Sequence, residues 1–337
     1  MTRTTPTTIA RTAGLIAASA VLIATSACSS STPSAGGNAD ASSIGMGIQP
    51  WLGYGPWYVA EEKGYFEDAG VDVTITNFMN DADMTAAFAA DRIQVANVAS
   101  HTALQFIEQG LDVSIVLLLD ASLQADAILS DGSVTDVADL AGTKIAFEEG
   151  SVSNLLLGYA LKENGLSLDD ITPVPMDPSE AATALLGGSV PVAVTYEPYI
   201  SEARAADGNF EPIYTAAENE GLISDVLVVD NDYLKDNGDT VQKVVDAWGP
   251  SIDYYNSDTD EARGIIAEAI GSDKASLDTA FDGVTYFGLE DNAEELSGHY
   301  LTTVLPSVQD IGSEIGILEG GTDLDSIVDP SFVGGSK

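Results

Sequence analysis

Chemistry-bearing side chains are abundant in one kind only. The 337-residue chain carries 53 carboxylates against 12 lysines and arginines, two histidines (His101 and His299) and one cysteine, Cys28. Paired carboxylates can act as acid and base in glycoside hydrolysis. In so acidic a chain, however, adjacent pairs such as Glu148–Glu149 arise by chance and define no such site. No Gly-x-Ser-x-Gly elbow, phosphate-cradling glycine loop, His-Glu-x-x-His helix or dinucleotide fingerprint occurs. The acid-rich stretch DNDYLKDNGD at 230–239 lacks the EF-hand spacing and its closing glutamate. The expectation is a protein that binds rather than catalyses, with neither cofactor nor metal.

One stretch, TKIAFEEGSVSN at 143–154, is placed for binding: an apolar run ends in two carboxylates, a glycine and serines, and a helix follows. Free N–H groups and the macrodipole make a helix N-terminus favourable for anions. Glu148 and Glu149 oppose that use. At a surface-like dielectric, unit charges about 4 Å apart interact by about 4 kcal/mol, against about 0.3–1 kcal/mol from a helix dipole. Beyond Cys28, no lysine or arginine falls in a loop expected to line a ligand cleft. A neutral, cationic or zwitterionic nitrogen compound is therefore expected in preference to a bare oxyanion. Strand alternation lets at most one of the two glutamates face it. Glu149 is assigned that place, and Ser151 and Ser153 can meet either charge.

Other candidates also sit where strands end. Trp51, Tyr54 and Trp57 flank a glycine-rich turn after the first strand and are read as lining a cleft. Ser100 and His101 lie where a strand meets a helix, so helix capping and ligand contact are both open to them. Asn80 and Asp81 are read as caps alone. Asp120 and Glu197 complete the expected ligand set.

The elements that must position these residues alternate. Strands are predicted at 43–49, 71–78, 95–99 and 113–119, with helices at 57–66, 81–90 and 101–109. The pattern restarts with strands at 125–130, 143–147, 171–176, 190–195 and 210–214. Helices at 134–140, 152–164, 179–186 and 198–206 accompany them. A strand at 225–229 precedes a mainly helical region with helices at 240–255, 259–269, 274–281 and 292–304, and the last fifteen or so residues read as frayed. Such alternation argues for an α/β fold with mostly parallel sheets. Two lobes are expected, 43–122 plus 223–320 and 123–222, joined by two hinge crossings, with a ligand cleft beyond the strands' carboxyl ends.

A net charge of −41 excludes nucleic acid as a partner, since phosphates would be repelled. Residues 1–13 carry Arg3 and Arg11 and no acid, and 14–27 is a short apolar run ending in small residues. That is an export signal, too short to span a bilayer stably. Cys28, directly after Ala24-Thr25-Ser26-Ala27, resembles the lipidated cysteine of a bacterial lipobox, although Thr25 stands where leucine is commonest. Residues 28–42 read as a flexible tether. The expectation is a lipid-anchored monomer on the outer face of the cytoplasmic membrane.

GIQPWLGYGPWYVAEEKGYFEDAGVDV, at 47–73, resembles the opening of the solute-binding proteins of nitrate/sulfonate/taurine ABC importers, a family that is thiamine-precursor-like in fold. Trp51, Gly53, Tyr54, Pro56, Ala60, Gly64, Tyr65, Phe66, Gly70 and Val73 carry the likeness. VADLAGTKIAFEEGSVSNLLLGYALKENGL and AVTYEPYISEA extend it, so that it spans about 43–310. The resemblance implies a periplasmic-binding-protein fold of type II and delivery of a small ligand to an ABC permease and, through it, an ATPase. The ligand classes it leaves open are taurine or sulfonate, pyrimidine-precursor, and amine or amidine. A lipid-anchored sensor using the same fold without transport is the alternative. The cysteine-rich motif of pyrimidine-synthesising relatives is absent.

Overall fold

The computed structural model describes residues 42–207 and 210–334. The export signal 1–27, Cys28 and all but the last residue of the tether lie outside the described residues.

Two sheets organise the chain. The first strand, β1 (Ser42–Ile48), pairs in parallel with β2 (Val71–Asn77) and β3 (Val95–Ala99). Then comes β4 (Val113–Ser122), buried along all ten residues. Its run VSIVLLLDAS has no polar alternation, as suits a strand covered on both faces. The chain next builds β5 (Asp126–Ser130), β6 (Lys144–Phe147), β7 (Thr172–Pro175), β8 (Val192–Tyr196) and β9 (Glu211–Thr215), and returns with β10 (Ser224–Asp230) and a short edge strand β11 (Val284–Tyr286). The six-stranded order is β11-β4-β10-β3-β1-β2 and the five-stranded order is β7-β6-β8-β5-β9.

The two orders follow one rule. In the first lobe β10 lies antiparallel between β3 and β4. In the second, β5 lies antiparallel between β8 and β9. Each sheet thus takes its odd strand from the chain that has just crossed over from the other lobe. The amino ends of β5 and β10 therefore lie at the same edge as the carboxyl ends of the parallel strands.

Helices cover both sheets: α1 (Gly55–Lys63), α2 (Tyr65–Ala69), α3 (Asp81–Ala89), α4 (Ser100–Glu108), α5 (Val152–Glu163), α6 (Pro178–Leu186), α7 (Tyr199–Asp207), α8 (Asn231–Ser257), α9 (Thr259–Ala269), α10 (Leu289–Glu295) and α11 (Leu305–Glu314). Pro56 in the first turn of α1 and Gly64 at its end (φ 76°) set that helix's limits. Trp57 on α1 anchors the first lobe's core. It stacks on Phe66, meets Trp248 of α8 at 4.6 Å between ring centroids, and donates to Asn97 Oδ1 at 2.7 Å.

Several predicted elements differ. In place of a helix at 134–140 there is a single turn, Val137–Asp139, capped by Asp136. Gly132 and Gly142 hold positive φ on either side, and between them the extended Asp136 (φ −147°) interrupts the span. The span 274–281 is likewise two short turns. At 292–304 the chain forms α10 and a wide turn at Tyr300–Val304 that leads into α11. The C-terminal stretch is not frayed through residue 334: Val328 bridges Ile115 of β4, and Val328 and Val333 are buried.

Candidate functional site

Where the two sheets' cleft-side edges meet lies an inter-lobe cavity of about 30 Å³, room for little more than a water. Small-molecule sites are roughly 300–1,000 Å³, so the lobes must part to admit such a ligand. Walls come from both lobes. From the first, the turn after β1 supplies Gln49, Trp51 and Tyr54, the start of α3 supplies Asp81, and β10 supplies Asp225. From the second, β5 supplies Asp126, β8 supplies Tyr196, and the turn after β6 supplies Glu148 and Ser151. Trp51 and Tyr196 meet edge to face across the cleft at 5.7 Å.

The polar floor is carboxylate. Asp225 accepts from the Tyr54 hydroxyl at 3.1 Å, and Asp120 accepts from Trp51 Nε1 at 3.2 Å. Asp120 and Asp225 are cross-strand partners on β4 and β10. Burial, and then the neighbouring charge of Asp225, push Asp120 well above the usual carboxylate range. Burial raises Asp225 as well and takes Asp126 to about 8. Burial and then the charge of Asp81 raise Glu148, and Asp81 is raised chiefly by its own burial. No lysine or arginine among the described residues lines the cavity.

Of the expected ligand residues, Trp51, Tyr54 and Ser151 line the cavity. Ser151 is also the N-cap of α5, accepting from the Ser153 N–H at 3.1 Å. The others stand elsewhere. Trp57 is wholly buried in the first lobe's core, because the helix turns its ring onto the sheet. Glu149 is exposed and faces an outer groove, while its neighbour Glu148 lines the cavity. Both glutamates lie beyond the end of β6 at Phe147, in a turn that passes through Gly150 (φ 80°), so strand alternation no longer decides which glutamate faces in. Ser100 bonds to Ser224 and Tyr300 behind the wall. His101 Nε2 donates to the Gly150 carbonyl at 3.2 Å, and burial lowers its pKa to about 4. Glu197 accepts from the N–H and hydroxyl of Ser201 and so caps α7. Ser153 is buried at the start of α5, and Asp120 backs the floor. Asn80 does cap α3, through the N–H of Asp83, whereas Asp81 lines the cavity.

Asp126 and Asp225 escaped the sequence reading because they open strands instead of closing them. The signal was present: an aspartate at the start of an apolar strand immediately after each crossing between lobes.

Two α/β lobes of matching strand order with a cavity between them define a periplasmic-binding-protein fold. Residues 51–262 match the family model described as NMT1/THI5 like, and the chain belongs to that family. A putative aliphatic sulfonates-binding protein of Bacillus subtilis (strain 168) is 27% identical over 268 residues, covering 77% of this chain and 79% of that protein. The crystal structure of the periplasmic aliphatic sulphonate binding protein of Escherichia coli superposes with a TM-score of 0.68 at 20% identity, covering 86% of this chain and 92% of that one. The periplasmic nitrate-binding protein of Synechocystis PCC 6803 gives 0.72 at 14% identity, with 87% of each chain covered. These relatives are binding proteins.

Proposed function

We propose that the protein is an extracytoplasmic solute-binding lipoprotein of an ABC importer. It captures a small nitrogen- or sulfur-containing molecule between its lobes and delivers it to the permease, whose partner ATPase drives import. The observation that carries this reading is the cavity walled by Trp51, Tyr54 and Tyr196 from two lobes. Aromatic walls and a few polar groups between lobes that can close around them suit capture and release. Family membership supports it. The lobes are taken as 43–122 with 223–320 and 123–222, with hinges at the two crossings; the membership of the two sheets supports this division. Cys28 carries the lipid anchor, and the protein acts as a monomer.

A thermal-shift screen of the full chain against nitrogen and sulfur compounds tests the reading. A ligand at 100 times its Kd adds about 2.7 kcal/mol to stability. Concentration-dependent stabilisation by at least one small compound is expected. A screen in which no compound shifts the transition contradicts solute binding.

A further inference from the structure

Resting on that reading, we propose that the cavity's ligand is an organic cation whose protonated amine, amidine or guanidine groups are met by Asp225 and Asp126 at the floor or by Asp81 and Glu148 at the entrance. All four line the cavity. Asp81 and Glu148 also line the outer groove, so they stand between the cavity and solvent. Asp120 backs the floor with a fully buried carboxyl whose Oδ2 has no hydrogen-bond partner.

Gathering carboxylates in a closed space is unfavourable unless something compensates them. Among the described residues the compensation here is by hydrogen bonds alone, such as Tyr54 to Asp225 and Thr102 to Asp81, and no cationic side chain lines the cavity. An oxyanion entering here would need these carboxyls to stay protonated, whereas a cation lets them ionise and draws the two lobes' acids together. Among the described residues no group of three or more His, Cys, Asp or Glu could hold a metal ion, which favours an organic cation over an inorganic one. Trp51, Tyr54 and Tyr196 supply faces and edges against which an alkyl or flat cationic group can lie.

Calorimetric titration of the full chain with putrescine, agmatine, histamine and benzamidine tests the inference, with ethanesulfonate and nitrate as anionic probes. Binding of at least one of the four cations is expected, weakening as salt is raised, with no heat from either anion. Glu148→Gln and Asp225→Asn are expected to weaken that cation about tenfold or more. Each replaces a carboxyl by an amide of the same shape, so melting temperatures should stay close to that of the parent chain while affinity falls. Failure of all four cations, or binding of ethanesulfonate or nitrate that tightens in the Gln and Asn variants, overturns the cationic class. If the screen above still finds a neutral or anionic ligand, solute binding stands while this inference falls; no ligand of any kind overturns both.

Discussion

The backbone N–H of Asp81, in the first lobe, donates a 3.2 Å hydrogen bond to Glu148 Oε1 of the second. The same contact brings two carboxylates toward one another across the cleft, and the Asp81 charge helps to hold Glu148 in its protonated form. Closure thus joins a stabilising hydrogen bond to a repulsion that a bound cation can offset. Neighbouring contacts lack this conflict. The Gly150 carbonyl of the second lobe accepts from both His101 Nε2 and Gln105 Nε2 of α4, the latter at 3.0 Å.

That double acceptance at Gly150 predicts a latch. Replacing both His101 and Gln105 by alanine should shift the ligand-free chain toward an open form, with a larger radius of gyration in solution scattering. Affinity should fall several-fold, because less of the protein is then competent to bind. An unchanged radius and affinity in the double variant would show that these bonds do not govern closure.

Two tryptophans near one turn should behave oppositely. Trp57→Ala removes a fully buried ring and is expected to cost about 3–5 kcal/mol of stability. Trp51→Phe keeps most of the packing but removes the N–H that Asp120 accepts, so it should alter ligand affinity more than melting temperature. Of the chain's three tryptophans only Trp51 lines the cavity. A ligand-induced fluorescence change should therefore vanish in Trp51→Phe; its persistence there would place the ligand elsewhere.

Gly53 is constrained by contact. A Cβ at this position would lie 2.2 Å from the carboxyl atoms of Asp120. Gly53→Ala should destabilise by about 1–3 kcal/mol through forced displacement. Adding Asp120→Ala should recover much of that loss, which a double-mutant cycle measures directly. Additive losses would mean that the two residues do not compete for space.

The raised carboxyls fix a sign for pH dependence. Asp126 reaches about 8 when folded, and unfolded carboxyls titrate near 4. The folded, unliganded chain therefore binds more protons than the unfolded one. Stability from this group is complete below about pH 4 and is lost as pH rises through about 8. His101 works in reverse: lowered to about 4, it contributes above about pH 6.5 and its contribution is lost as pH falls. Calorimetry of the ligand-free chain should find a higher melting temperature near pH 6.5 than near pH 8.5. Affinity for a cation should change the opposite way, since binding uses ionised carboxylates. A melting temperature that climbs across this interval would contradict the protonated floor.

Much of this arrangement was legible in the chain itself. Alternating apolar runs and helix starts placed all ten of the larger strands close to their true positions, and the rule that ligands lie beyond strand carboxyl ends led to Trp51, Tyr54 and Ser151. That rule could not reach Asp126 and Asp225. Their strands run antiparallel to both of their neighbours, which only long-range pairing reveals. Nor could local pattern separate Trp57 from Trp51. Six residues apart, one lies on a helix face turned to the core and the other on the turn before it, and the choice is made by α8 and its Trp248. The helix expected at 134–140 is interrupted locally, by the extended Asp136 that caps the short turn after it.

The most direct test of the central claim is a crystal structure of the protein with whichever compound stabilises it most in the thermal screen. Density for that compound should lie between the lobes, against Trp51, Tyr54 and Tyr196, with a nitrogen in hydrogen-bond reach of Asp225 or Glu148. Density confined to the outer groove beside Glu149, with those aromatic rings untouched, would contradict the inter-lobe cavity as the capture site.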